Sequence, residues 1–216
     1  MATTLGVISD THSAGRGRDL PKKVLDALQG VDMILHCGDL ECLGVLDYLE
    51  EVAPLLAVRG YEDPIEDSER LALTTRVVKV EGVSIGMIHD IQWPGPKIPT
   101  SPDGTNLVFP NSNGQETMAK KFKEPVDVVL FGDTHEEIVT YWDGVMIMNP
   151  GSPTYPGKRH KRGVLGTIGI LEVSGEDAIG RIVELDPTGL ISSIYPNEAI
   201  QSKISVLNEA RGEFQC

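Results

Sequence analysis

Four short apolar runs in the chain each break off at residues able to hold a metal ion: Ser9-Asp10-Thr11-His12, His36-Cys37-Gly38-Asp39, Met87-Ile88-His89-Asp90 and Gly132-Asp133-Thr134-His135. Carboxylate oxygen and imidazole nitrogen offered together suit borderline divalent ions such as Mn, Fe, Ni, Co or Zn. Any one cluster has a plainer reading, because aspartate is a good helix N-cap and a histidine can be an ordinary satisfied polar group. Their recurrence after separate apolar runs argues for the metal. A glycine precedes both Asp39 and Asp133 and would let the backbone turn sharply, aiming the carboxylate. His36 stands inside its apolar run and reads as a supporting group behind the ligands. Asp90 either orients the His89 imidazole or opens the loop that follows.

The elements that must position these groups follow from the pattern of apolar residues. Residues 4–8, 31–35 and 54–58 read as buried strands, with helical spacing over 21–28 and 43–51 between them. Alternating strands and helices of this kind predict a sheet covered by helices. The rhythm then changes: 76–80 and 83–88 flank Glu81-Gly82 and predict a hairpin, so the sheet arrangement is mixed. Residues 90–114 carry Pro94, Pro96, Pro99, Pro102 and Pro110, too many breakers for a regular element. A loop this long is expected to be a mobile cover over the cleft. A helix over 115–123, a strand over 126–131, a hairpin of 138–142 with 145–148, strands over 163–173 and 181–185, and a weak helix over 197–210 complete the expectation. In open α/β sheets ligands gather beyond the carboxyl ends of the strands, so the four clusters are expected to converge.

Composition narrows the role. A chain of 216 residues with 40% hydrophobic content fits one large domain with a real core. A net charge of −13 disfavours bulk nucleic-acid binding, which needs many cations against phosphates. A small phosphate ester remains compatible, because bound metal supplies positive charge locally. The cysteines Cys37, Cys42 and Cys216 form no even disulfide framework, and the apolar start lacks a basic leader. A cytoplasmic protein that spans no membrane is expected; the oligomeric state is left open.

Asp10-Thr11-His12, Gly38-Asp39, His89, Gly132-Asp133-Thr134-His135 and Asn149-Pro150-Gly151-Ser152 together resemble the calcineurin-like metallophosphoesterase superfamily, and within it the small bacterial and archaeal phosphodiesterases related to the retromer metallophosphoesterase-fold subunit. The resemblance implies a single domain over 1–216, with the loop at 90–114 as an insertion, folded as a four-layer α-β-β-α sandwich of two mixed sheets flanked by helices. It implies one or two divalent transition-metal ions, with Asp10, His12 and His135 at one, Asp39 bridging and His89 at the second. It implies hydrolysis of a small phosphate ester, a diester above all, by a metal-bound hydroxide. A catalytically weakened interaction module on the same fold is the alternative. No residue is assigned as the general acid.

Two positions depart from the family pattern, and both concern the second ion. Gly60-Tyr61-Glu62-Asp63 puts Tyr61 where an asparagine ligand is expected, and Asp133 stands where a histidine is expected. A phenol is a poor neutral ligand, so Tyr61 is expected to narrow the cleft or to bind substrate. Asp133 can still ligate, its harder oxygen tilting the site toward Mn or Mg. Glu62 or Asp63 could protonate the leaving group or capture the second ion. Further on, Lys158-Arg159-His160-Lys161-Arg162 is a dense basic run in an acidic chain. It reads either as a solvated loop or as a phosphate-gripping edge, with Arg159 the better bidentate contact. Trp93 and Phe109, in the long loop, either stack on a substrate base or pin the loop to the body.

Overall fold

The computed structural model describes residues 2–13, 17–65 and 69–186. The weak helix expected over 197–210 and Cys216 lie outside the described residues. Among those described, the chain runs β1 (Thr3–Ile8), α1 (Lys22–Ala27), β2 (Met33–His36), α2 (Gly44–Glu50), β3 (Leu55–Ala57), β4 (Thr75–Val80), β5 (Val83–Ile88), α3 (Gly114–Phe122), β6 (Val128–Leu130), β7 (Ile138–Trp142), β8 (Val145–Asn149), β9 (Thr167–Ser174) and β10 (Asp177–Glu184). No helix among the described residues is long and apolar enough to cross a membrane.

The strands form two five-stranded mixed sheets, in the orders β10-β9-β1-β2-β3 and β4-β5-β6-β8-β7. In the first, β1, β2 and β3 run parallel and β9 returns antiparallel to β1. In the second, β5, β6 and β8 run parallel with antiparallel β4 and β7 at the edges. Period-2 alternation sorts the side chains into layers. Leu5, Val7 and Leu35 from the first sheet meet Ile85, Met87, Leu130 and Met148 from the second in a dry inter-sheet core. Ile8 and Ile34 face the other way, onto Val24, Leu28, Leu46 and Leu49 of the helical layer. Val129, Phe131 and Ile147 cover the far face together with Met118 and Phe122 of α3. Four layers result, α-β-β-α. Each fully buried aliphatic or aromatic side chain contributes roughly 1.5–3 kcal/mol.

Two expectations need correction. The strand expected over 181–185 is eight residues long, Asp177–Glu184, and pairs with β9 from Asp177 opposite Ser174 onward. Its charged residues hid it, but an edge strand can keep one face in water. The segment at 91–113 does lack helix and strand apart from one bridge between Thr100 and Leu107. It is not draped over the cleft, however. Ile91 and Ile98 are buried with Phe131 and Met118 in the outer core, and Phe109 stacks on Trp142 at a centroid distance of 4.9 Å. Lys158 Nζ and an Arg159 guanidinium nitrogen donate to the carbonyls of Asp103 and Thr105, both at 2.9 Å. Of the residues in this segment, Trp93 and Pro94 alone are among those that line the cavity beside His89.

Candidate metal centre

Parallel pairing fixes where the clusters lie. β1 and β2 end together at one edge of their sheet, and β5 and β6 do the same in theirs. Backbone bonds then tie neighbouring loops: Asp10 N–H to the Gly38 carbonyl at 2.9 Å, His12 N–H to Asp39 at 3.1 Å, and Gly132 N–H to His89 at 2.8 Å. The sheets are joined by the Asp133 N–H, which donates to both carboxylate oxygens of Asp10 at 3.2 Å. Asp10, His12, Asp39, Asp133 and His135 all adopt left-handed backbone, with φ of 53°, 40°, 55°, 67° and 59°. Such strain is uncommon outside glycine and collects where a structure must aim side chains at one point. Gly38, at φ +95°, makes the sharp turn expected of it. Gly132 has a different reason: a Cβ there would meet Ser9 Oγ at 2.0 Å and Asp10 Oδ2 at 2.6 Å.

Two groups of three metal-capable residues result, Asp10-His12-His135 and Asp10-Asp39-His89, and they share Asp10. In the first, His12 Nδ1 lies 2.8 Å from the Glu41 carboxylate and His135 Nδ1 lies 2.7 Å from the Tyr155 carbonyl. Both partners can only accept, so each Nδ1 carries a proton, and in the neutral ring each Nε2 then keeps its lone pair. Those two Nε2 atoms face each other at 3.1 Å, with Asp10 Oδ1 3.5 Å from the His135 nitrogen. Two lone pairs at that distance repel unless a proton or a metal cation lies between them. The donor set fits a divalent ion.

The second group repeats the logic. His89 Nδ1 donates to the Cys37 carbonyl at 2.8 Å, which aims Nε2 at the carboxylates. Asp39 Oδ2 stands 3.1 Å from that nitrogen and Asp133 Oδ1 3.9 Å, yet the buried Nε2 has no well-directed hydrogen bond. Distance gives charge attraction there and direction does not give a hydrogen bond. Burial opposes a charge on His89, but the carboxylates of Asp39 and Asp10 push its pKa up to about 9. Burial and the neighbouring Asp90 and Asp10 carboxylates raise Asp133 to about 6 despite His89. Burial likewise raises the Asp10 carboxyl. Crowded acids of this kind want a cation. Tyr61 does not point its oxygen into the group: the hydroxyl donates to Asp90 Oδ2 at 2.6 Å, and the ring meets His89 edge-on at 5.5 Å.

The calcineurin-like phosphoesterase superfamily domain matches residues 4–176, which contain every one of these residues. The chain belongs to that superfamily. A probable metallophosphoesterase of Methanocaldococcus jannaschii is 31% identical over 70% of this chain and 69% of its own length. A phosphodiesterase of the same organism is 28% identical over 68% of this chain and 82% of its own. Among solved structures, Vps29 of Entamoeba histolytica complexed with zinc aligns with a TM-score of 0.59 at 21% identity, covering 85% of this chain and all of that one. That last likeness concerns the fold.

The calcineurin-like motifs contain residues whose work is to position others, and sequence reasoning missed most of it. Asp63 is neither acid nor ligand in this geometry. Its buried carboxylate accepts four backbone N–H groups, from Leu40 at 2.7 Å, Glu41 at 3.0 Å, Asp39 at 3.0 Å and Gly60 at 2.7 Å. The Asp39 side chain in turn accepts the Glu62 N–H at 2.9 Å. Asn149 donates to the Gly132 carbonyl and to Thr134 Oγ1, and Ser152 donates to the Asp10 carbonyl at 2.7 Å. The Asn-Pro-Gly-Ser motif was visible in the sequence, but its function as a brace between ligand loops needed coordinates. His36 is a support as expected: it accepts the Gly38 N–H and shares a 3.1 Å bond with Thr11 Oγ1. Burial lowers its pKa to about 4, so the ring is neutral.

Arg159 is not brought to the cleft. It is buried, bonded to the Glu137 and Thr105 carbonyls at 2.9 Å and close to the Glu136 and Glu137 carboxylates. Its sequence neighbours Lys158, Lys161 and Arg162 instead line a cavity of about 1060 Å³ that reaches Asp133 and His135. The basic run is therefore divided, with the Arg159 guanidinium and the Lys158 ammonium tied to the 91–113 segment and Lys161 and Arg162 on the cavity wall.

Proposed function

We propose that this chain is a metal-dependent phosphodiesterase acting on a small phosphate ester. The facing Nε2 atoms of His12 and His135, 3.1 Å apart with their protons committed elsewhere, carry the reading. In it Asp10, His12 and His135 hold one ion and Asp10, Asp39, His89 and Asp133 a second, with Asp10 as the shared carboxylate of the present geometry. Bound divalent ions lower the pKa of water and neutralise charge on phosphoryl oxygens. The chain's part is to orient. Glu41 and the Tyr155 carbonyl fix the imidazole tautomers, Asp63 fixes the Asp39 loop, and Ser152 fixes Asp10. The similarity to a phosphodiesterase of Methanocaldococcus jannaschii supports the diester.

Tyr61 and Asp133 favour a second reading, in which the fold is kept for binding and the second ion is held weakly. Metal analysis of protein purified without chelator, paired with hydrolysis of bis(p-nitrophenyl) phosphate and p-nitrophenyl phosphate across Mn, Ni, Co, Mg and Zn, separates the two. Metal-dependent diester turnover is expected. Stoichiometric metal without turnover of either ester, or absence of bound metal, would overturn the hydrolytic reading and favour the binding module.

A further inference from the structure

Beside the second group of candidate ligands lies a cavity of about 340 Å³, within the range of small-ligand sites. Its walls come from four places that only the fold brings together: Arg59, Gly60 and Tyr61 after β3, Thr74 just before β4, Ile88, His89 and Asp90 at the end of β5, and Trp93 with Pro94 from the long loop. Two large rings are left in solvent here, Trp93 at 55% exposure and Tyr61 at 63%. Both are held in place. Tyr61 is fixed by its bond to Asp90 and its edge contact with His89, and Trp93 carries the Lys97 ammonium over its ring at 3.9 Å. Exposed aromatic rings fixed next to a catalytic cleft present flat apolar surface at little entropic cost.

We infer that this cavity binds the nucleobase of a nucleotide phosphodiester whose phosphorus sits at the metal centre, an assignment that rests on the phosphoesterase reading of the adjoining cleft. Three observations select this occupant. The walls are mostly apolar and aromatic, which suits a flat ring; stacking on such rings tolerates any base. Two carboxylates, Asp63 and Asp90, line the cavity against a single Arg or Lys, Arg59, in a chain of net charge −13, which disfavours a second phosphate there. Arg59 and Thr74 add hydrogen-bond donors to the lining, which a base edge can accept and a plain hydrocarbon arm cannot. Charge has its place on the other side of the centre, where Lys158, Lys161 and Arg162 line the larger cavity. The cleft thus reads a diester with a neutral planar arm toward Trp93 and its anionic remainder toward the basic run.

The test compares adenosine 5′-monophosphate with ribose 5-phosphate by calorimetric titration of the Mn-loaded protein, with bis(p-nitrophenyl) phosphate turnover measured on the same sample. The nucleotide is expected to bind roughly fivefold to a hundredfold more tightly, the range for stacking one base. Trp93→Ala should bring the ratio of the two affinities close to one, and Trp93→Phe should retain part of it. Equal binding of the two ligands to wild type, or an unchanged ratio in Trp93→Ala, overturns the assignment. Diester turnover without the ratio sinks the base site alone; a Trp93-dependent ratio without turnover keeps the base site and sinks the hydrolytic reading.

Discussion

Asp63→Asn is the most informative single change, because it preserves shape while removing one acceptor from a carboxylate whose hydrogen bonds are all accounted for. Oδ1 accepts from Leu40 and Glu41, and Oδ2 from Asp39 and Gly60. Whichever way the new amide is turned, its NH₂ faces two backbone N–H donors that keep no partner. Hydrogen bonds to a buried charged group contribute roughly 1.5–3 kcal/mol each, so two lost bonds cost about 3–6 kcal/mol. Against a typical domain stability of about 5–15 kcal/mol that is a large share. Urea unfolding in EDTA measures it directly, with the slope checked for constancy so that the midpoint shift reports stability. Metal affinity should fall as well, since the loop that carries Asp39 and Glu41 loses its anchor. A loss below about 1 kcal/mol with metal affinity intact would refute the view that Asp63 holds this loop.

Asp39→Asn should also lower metal-free stability: burial opposes the Asp39 charge, but the neighbouring His89 and the Glu62 N–H hold its carboxyl below the usual carboxylate range, so the fold gains from an ionised form that the amide lacks, and metal content and the metal-induced rise in melting temperature fall as well. Calorimetry with and without Mn²⁺ checks both halves, and retained metal content would contradict the assignment. Tyr61→Asn combined with Asp133→His restores the family pattern at the second ion and should raise its occupancy and diester turnover with Mn or Ni; tight two-ion binding by wild type together with loss of activity in the double variant would mean that Tyr61 and Asp133 belong to a re-specialised site. His36 supplies a pH dependence. Its folded pKa, about 4, lies below the ordinary 6.5, so its contribution is full above pH 6.5 and is lost as pH falls toward 4. Urea midpoints of EDTA-treated protein should therefore drop more steeply over that window in wild type than in His36→Gln, and parallel curves would show that the ring is not held neutral.

Residue order was enough for the succession of elements and for the candidate donors, whereas the four-layer arrangement was implied only by the family resemblance. Period-2 and helical spacing are local properties of the chain, so the strands of both sheets, the three helices and the four ligand-bearing run ends could be read directly from residue order. The charged strand Asp177–Glu184 was shortened in that reading because an edge strand buries too little to show its pattern. The work of groups whose partners are remote in sequence came from the packing of distant loops. Asp63 and Asp39, 24 positions apart, look like interchangeable acids until four N–H groups are found to converge on one of them. Arg159 looked like a phosphate contact until its guanidinium proved to be spent on the Thr105 and Glu137 carbonyls. The place of Asp10 in both candidate groups depends on the Asp133 N–H, 123 positions away, holding its carboxylate between the two histidine groups. Residue type states which bonds a side chain can make; only the packing of distant loops at a common edge determines which of them it does make.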